Sequence, residues 1–117
     1  MVLEVFAVAH PKPTIAISMG DPAGVGPEVI VGAWAETFVH DLCRPFVVGH
    51  PEILRRAARL WHLPIRVVEI AGPAEAHPSP QTLPCLPCGP DDVLKVRPGT
   101  VDPRAGQAAY QSVVQAA

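Results

Sequence analysis

Charge is scarce in this chain of 117 residues: acidic and basic side chains together make up 17% of it, and the net charge is -2. No Lys/Arg run or basic stripe occurs, so the electrostatic footprint of a nucleic-acid binder is missing and that partner class is excluded. Long hydrophobic runs are also absent. None approaches the roughly 18–20 apolar residues that span a bilayer, so no membrane partner is expected. Residues 1–9 are apolar but lack the positive flank and small-residue cleavage pattern of a secretory leader. A cytoplasmic protein is the expectation.

Cysteine is sparse too, with Cys43, Cys85 and Cys88 the only three. An odd number in such a chain argues against a disulfide framework. Cys85 and Cys88 form a single Cys-x-x-Cys, whereas a structural zinc site usually draws on two such pairs. Leu86 and Pro87 between them read as part of a Pro-rich connection, not the strand-to-helix junction of a thioredoxin motif. Two buried or half-buried thiols acting as small hydrophobes are expected.

Proline, by contrast, is abundant, at 15 residues. The prolines fall mostly between periodic segments, where a fixed φ and a missing N–H start helices and stop strands. Hydrophobic residues at 49% make the chain globular, and its length suits one small domain that buries roughly 65% of its unfolded surface.

Residues 1–12 read as an N-terminal arm and residues 13–117 as an α/β unit. Thr14 to Ser18 (Thr-Ile-Ala-Ile-Ser) suits a short buried strand, followed by a turn from Met19 to Gly26 with three glycines. Pro27 and Glu28 open a helix with Ile30, Ala33, Trp34 and Phe38 on its apolar face. Pro45 to Val48 is a second strand. The next helix, after His50 and Pro51, carries Leu54, Ala57, Ala58 and Trp61 on one side. Ile65 to Ile70 is a third strand, Ala71 to Gln81 a loop, Leu83 to Leu86 a further short strand, and Gly89 to Thr100 irregular. Asp102-Pro103 is a helix start, and Ala105, Ala109, Val113 and Ala116 line one face of the helix that follows. Alternating strands and helices of this kind predict a mainly parallel sheet with flanking helices. The last helix reaches Ala117 without a Gly stop, a basic last turn or a trailing Pro, the pattern of a fold that continues beyond it. The alternative is a naturally short protein with a fraying terminal helix.

The chemistry concentrates in Gly20-Asp21-Pro22-Ala23-Gly24-Val25-Gly26-Pro27-Glu28. Following a strand and opening a helix, this run occupies the carboxyl rim of a parallel sheet, where ligands gather. Glycines allow a tight bend and close backbone approach, and the helix start offers free N–H groups and partial positive charge. Gly20, Asp21, Ala23, Gly24, Gly26 and Glu28 are therefore the candidate lining of a cofactor or substrate cleft. Asp21 reads equally well as a turn-capping carboxylate, and Glu28 as compensation of the helix dipole, worth about 0.3–1 kcal/mol. The spacing is neither the Gly-x-Gly-x-x-Gly of a Rossmann domain nor a P-loop.

Ser18 to Glu28 resembles the N-terminal signature of the 4-hydroxythreonine-4-phosphate dehydrogenase family, and is similar to the shorter Gly-Asp-Gly-Ile-Gly-Pro-Glu stretch of isocitrate and isopropylmalate dehydrogenases. Pro45-Phe46-Val47-Val48-Gly49 resembles the family's next strand and turn, and Pro103 to Tyr110 its Ala-Gly-x-Ala-Ala helix. The resemblance implies an isocitrate/isopropylmalate dehydrogenase-like fold of two α/β domains, of which this chain is an incomplete N-terminal portion. It implies a homodimer that oxidises the secondary hydroxyl of 4-phosphohydroxythreonine with NAD in pyridoxal phosphate biosynthesis and then decarboxylates the β-keto acid. It also implies a divalent metal, a Lewis acid toward hydroxyl and ketone, whose histidine ligands lie outside this segment. The chain alone is expected to be inactive.

Of its own histidines, His50 suits a cap or surface position and His62 the dipole of a helix end. His10, His40 and His77 fall in expected loops, and none is assigned to metal. Two other readings stand beside this one. Relatives with the same signature act on phosphorylated threonate or erythronate, or on a carboxylated cis-dihydrodiol. A free-standing small α/β ligand-binding module is the reading from another class.

Overall fold

The structure, a computed structural model, describes residues 12–117. The expected arm therefore lies outside the described residues except for Lys12. Four strands, β1 (Thr14–Ser18), β2 (Arg44–Gly49), β3 (Arg66–Glu69) and β4 (Thr82–Pro87), form one sheet in the order β1-β2-β4-β3. Every neighbouring pair is parallel. Four helices accompany them: α1 (Gly26–Trp34), α2 (Thr37–Leu42), α3 (Pro51–Leu60) and α4 (Pro103–Ala116). The expected fold, a mainly parallel α/β sheet with flanking helices, is the observed one. No helix among the described residues is long and apolar enough to cross a membrane.

Strand alternation divides the core. Val47, Val67, Leu83 and Cys85 face one side and pack with Val31 and Trp34 of α1 and with Ile53, Leu54, Ala57 and Ala58 of α3. Phe46, Val48 and Ile70 face the other, against Ala76 of the β3–β4 crossover and Ala116 of α4. Burying a side chain such as Leu54, which is fully enclosed, contributes about 1.5–3 kcal/mol. The indole N–H of Trp34 donates to the carbonyls of Ser79 (2.8 Å) and Thr82 (3.1 Å), tying α1 to the start of β4.

Several local expectations need correcting. β1 has the expected bounds but is an edge strand, pairing only with β2 among the described residues; Thr14 and Ile15 are exposed. The run read as a further short strand is β4, inserted between β2 and β3. It takes this inner place although Pro84 and Pro87 give no N–H to a ladder. Parallel pairing of β3 with β4 needs a long crossover, and residues 70–81 supply it with a short 3-10 turn at Pro73–Glu75.

The first helix ends at Trp34, so its buried row is Pro27, Val31 and Trp34. Ala33 is exposed and Phe38, on α2, is 60% exposed. Trp61 caps α3 from outside its last turn and faces solvent. In α4 the buried row is Ala105, Ala108 and Ser112, a rotation away from the expected Ala109 and Val113. The Ser112 hydroxyl fits that face because its Oγ donates to the Ala109 carbonyl at 2.9 Å.

Candidate functional site

The turn after β1 is held from inside. Met19 is buried, and its N–H donates to the Val48 carbonyl at 2.9 Å. A Cβ on Gly26 would stand 2.4 Å from the Met19 carbonyl oxygen, and one on Gly49 2.5 Å from Met19 Cβ. Those two glycines are therefore packing requirements, Gly26 against backbone that cannot yield and Gly49 against the root of the Met19 side chain. Gly20 has φ +78° and open space where a Cβ would be, so its role is conformational. At Gly24 an added carbon would make only ordinary contacts at 3.5 Å with Asp21.

Asp21 Oδ1 accepts from the Ala23 N–H at 2.8 Å, and the Asp21 carbonyl from the Gly24 N–H at 3.0 Å. Such a side-chain turn is the capping role of an aspartate. Ala23 is buried against Val96 and Ala105, and its carbonyl accepts from the Gly99 N–H at 2.7 Å. Of the six candidate residues, Ala23 and Gly26 thus face the protein. Gly20 and Glu28 are half-buried, and Asp21 and Gly24 are exposed. Glu28 lies in the first turn of α1, whose N-terminus has no side-chain cap. Gly24 and Glu28 border a cavity of about 100 Å³ whose far wall includes Ile53, Arg56, Leu60 and Val96.

A second cavity, of about 320 Å³, opens where β2, β3 and β4 end. His50, 7% exposed, precedes α3. Its Nδ1 accepts from the Glu52 N–H at 3.2 Å, so it caps the helix, and Nε2 lies 2.7 Å from Asp91 Oδ1. The capping half of the sequence reading holds; the surface half does not. Glu52 accepts from Arg59 at 2.9 Å, and this contact first of all holds its carboxyl below the usual range. Sequence spacing gave no warning of the His50–Asp91 pair, because the partners are 41 residues apart.

Among the described residues, the other histidines and the cysteines lie outside the lining of these two cavities. His40 sits in α2, not in a loop, with its ring edge-on to Trp34 and Nε2 2.7 Å from the Trp34 carbonyl. His62 follows α3 with φ 53°, and His10 lies outside the described residues. All three cysteines are free. Leu86 and Pro87 belong to β4, not to a connection, and burial pushes the Cys85 thiol up to about 12. Cys85 is thus a core hydrophobe.

A parallel sheet with a glycine-bearing first turn of non-Rossmann spacing and cavities at its carboxyl rim defines an α/β ligand-binding fold of the kind many enzymes use. Over most of its length the chain is similar to proteins named as dehydrogenases. No family model matches the chain. A 4-hydroxythreonine-4-phosphate dehydrogenase of Trichlorobacter lovleyi is 35% identical over 108 residues, which are 92% of this chain and 32% of that protein. A protein of Halalkalibacterium halodurans, named provisionally as a D-threonate 4-phosphate dehydrogenase, is 34% identical over 87% of this chain and 30% of its own length. The crystal structure of a 4-hydroxythreonine-4-phosphate dehydrogenase from Burkholderia phymatum superposes with a TM-score of 0.83 at 36% identity, covering 92% of this chain and 32% of that one. The chain is related to the 4-hydroxythreonine-4-phosphate dehydrogenase family over most of its length, and it spans about a third of the length of the curated relatives it matches.

Proposed function

We propose that residues 13–117 supply the N-terminal α/β portion of an NAD-dependent dehydrogenase acting on 4-phosphohydroxythreonine. The reaction oxidises the secondary hydroxyl, passes hydride to NAD and releases carbon dioxide from the β-keto acid, a step of pyridoxal phosphate biosynthesis. The observation that carries this reading is the 35% identity with the Trichlorobacter lovleyi enzyme along 92% of the chain. A homodimer, a small phosphorylated substrate and a cytoplasmic location go with it.

In this reading the turn from Gly20 to Glu28 walls the cleft. Gly20, Asp21, Gly24 and Glu28 turn toward the ligand, while Ala23 and Gly26 hold the turn in place. Asp21 spends one carboxylate oxygen on the turn, which leaves the other to accept from a ligand hydroxyl or amide. The divalent metal of the family finds no set of ligands here: among the described residues no three His, Cys, Asp or Glu side chains come together to hold an ion.

The test is an NADH-absorbance assay on the full product of the gene, with 4-phosphohydroxythreonine and with threonate 4-phosphate, before and after chelation. Turnover of the first substrate that disappears with chelator is the expected result. Turnover of threonate 4-phosphate alone would replace this reading with the one favoured by the Halalkalibacterium halodurans relative, 34% identical. Silence with both would end the dehydrogenase reading.

A further inference from the structure

The two edges of the sheet are finished differently. β3, on one side, is four residues long and carries a charge at each end, Arg66 and Glu69. Short, charged strands are a means of keeping an edge from pairing further. β1, on the other side, is Thr-Ile-Ala-Ile-Ser, without a charge, a proline or a break in its register. The Met19 N–H donates to the Val48 carbonyl, and the Pro13 carbonyl accepts from Arg44. Residues 13, 15, 17 and 19 therefore turn their backbone groups toward β2. Alternation along the ladder points the N–H and C=O groups of Thr14, Ala16 and Ser18 outward. None of these has a partner among the described residues.

α4 is uneven in a matching way. It packs over β1 and β2 with Ala105, Ala108 and Ser112 turned inward. At about 100° per residue, Arg104, Gln107, Gln111 and Gln115 form one flank of the helix, and Gly106, Tyr110, Val113 and Ala117 the other. The polar flank faces β4: Gln115 Nε2 donates to the Pro87 carbonyl at 3.4 Å, and Gln111 Oε1 lies beside Gly89. The apolar flank therefore faces away from β4, to the open side of β1. Tyr110 is 67% exposed there and Val113 57%, and no charged residue occurs between Gly106 and Ala117. A helix apolar beyond the face it already buries has a second surface to cover.

The open edge and the apolar flank thus lie on the same side of the molecule. This chain spans 32% of the length of the Trichlorobacter lovleyi protein, so about two-thirds of a polypeptide of that length is left to cover them. We infer that β1 is an inner strand of the full gene product. A further strand, from polypeptide outside these 117 residues, pairs with Thr14, Ala16 and Ser18, and the helix joined to it packs on Tyr110 and Val113. This arrangement rests on the function proposed above only in needing a longer gene product, not in its substrate or cofactor.

Hydrogen exchange of the full gene product, resolved by residue, reads the edge. The Thr14, Ala16 and Ser18 amides should exchange within about tenfold of those of Ile15 and Ile17, which already bond to β2. The flank is read with Val113→Cys and Gln107→Cys, on opposite flanks of α4, treated with a maleimide. Peptide mass spectrometry separates these sites from Cys43, Cys85 and Cys88. Position 113 should react at least about tenfold more slowly than position 107. Fast exchange of the three outward amides, or equal labelling at the two positions, would overturn the added strand and helix. Protection lost on dilution to the monomer would overturn them too, and assign the surface to a second copy. Protection already complete in the 117-residue protein would place the occupant within this chain and have the same effect. Protection without NAD turnover would sink the proposed function alone, and turnover without protection would sink the added strand and helix alone.

Discussion

The turn from Met19 to Gly26 and the cavity beside His50 lie at the same end of one parallel sheet, but they are built in opposite ways. The turn is contiguous in sequence and largely consumed by its own contacts: Asp21 on Ala23, Ala23 on Gly99, Gly26 against Met19. The cavity joins residues from separate segments and leaves carboxylate oxygens unspent. A glycine-rich signature can therefore record what the backbone needs in order to fold as much as what a ligand needs. A site assembled across the chain carries no signature at all.

The largest expected effect tests the inner side of the turn. Gly26→Ala places a carbon against the Met19 backbone, and overpacking of this kind costs about 1–3 kcal/mol. The midpoint of urea unfolding should fall accordingly; an unchanged midpoint would mean the turn is not clamped there. A smaller loss is expected at the start of α4, where Asp102 Oδ1 accepts from the Arg104 N–H at 2.8 Å. Asp102→Ala should lower the unfolding midpoint by less than Gly26→Ala does, through loss of that cap, which calibrates the similar Asp21 turn. Arg104 holds the Asp102 carboxyl below its ordinary range. Its folded pKa is thus depressed, so its contribution is present above the unfolded value of about 3.9 and fades as pH falls through the folded one. Acid titration of the variant, followed by circular dichroism, should lack that part of the loss below about pH 4.

The smallest change sharpens the comparison most. Gly24→Ala adds a carbon that meets nothing closer than 3.5 Å, so stability should move by no more than about 0.5 kcal/mol. A fall in NAD affinity of the full gene product with unfolding unchanged would assign the outer side of the turn to ligand. Unchanged affinity would leave the turn as scaffold only.

Most of the architecture could be read from the residues. Pro27 at a helix start, Asp102-Pro103 as cap and first turn, and the apolar runs at 14–18 and 45–48 all act locally, so their signals survive without tertiary context. Legibility failed where packing decided. The short strand at 83–86 was legible, but its inner place between β2 and β3 was not, because that depends on how the crossover packs. Ser112 joins the buried face of α4 because its hydroxyl satisfies itself on the helix backbone, which the apolar pattern of the sequence does not mark. In the turn, sequence located the bend and offered both roles for Asp21, but could not tell Gly24 from Gly26; that distinction depends on where the Met19 carbonyl points. His50 was legible as a cap, and Asp91 was invisible as its partner.

Met19 touches both turns at this end of the sheet, lying under Gly26 on one side and Gly49 on the other. Its backbone N–H is also fastened to Val48. Neither loop can shift without dragging this side chain through its neighbour, so the lip of β1 and the lip of β2 should travel as a single piece. Loop grafting or directed evolution that alters one of them alone would meet resistance from the other; a smaller residue at 19 should ease a variant at 49, whose added carbon meets the Met19 side chain, but not one at 26, which meets the Met19 backbone.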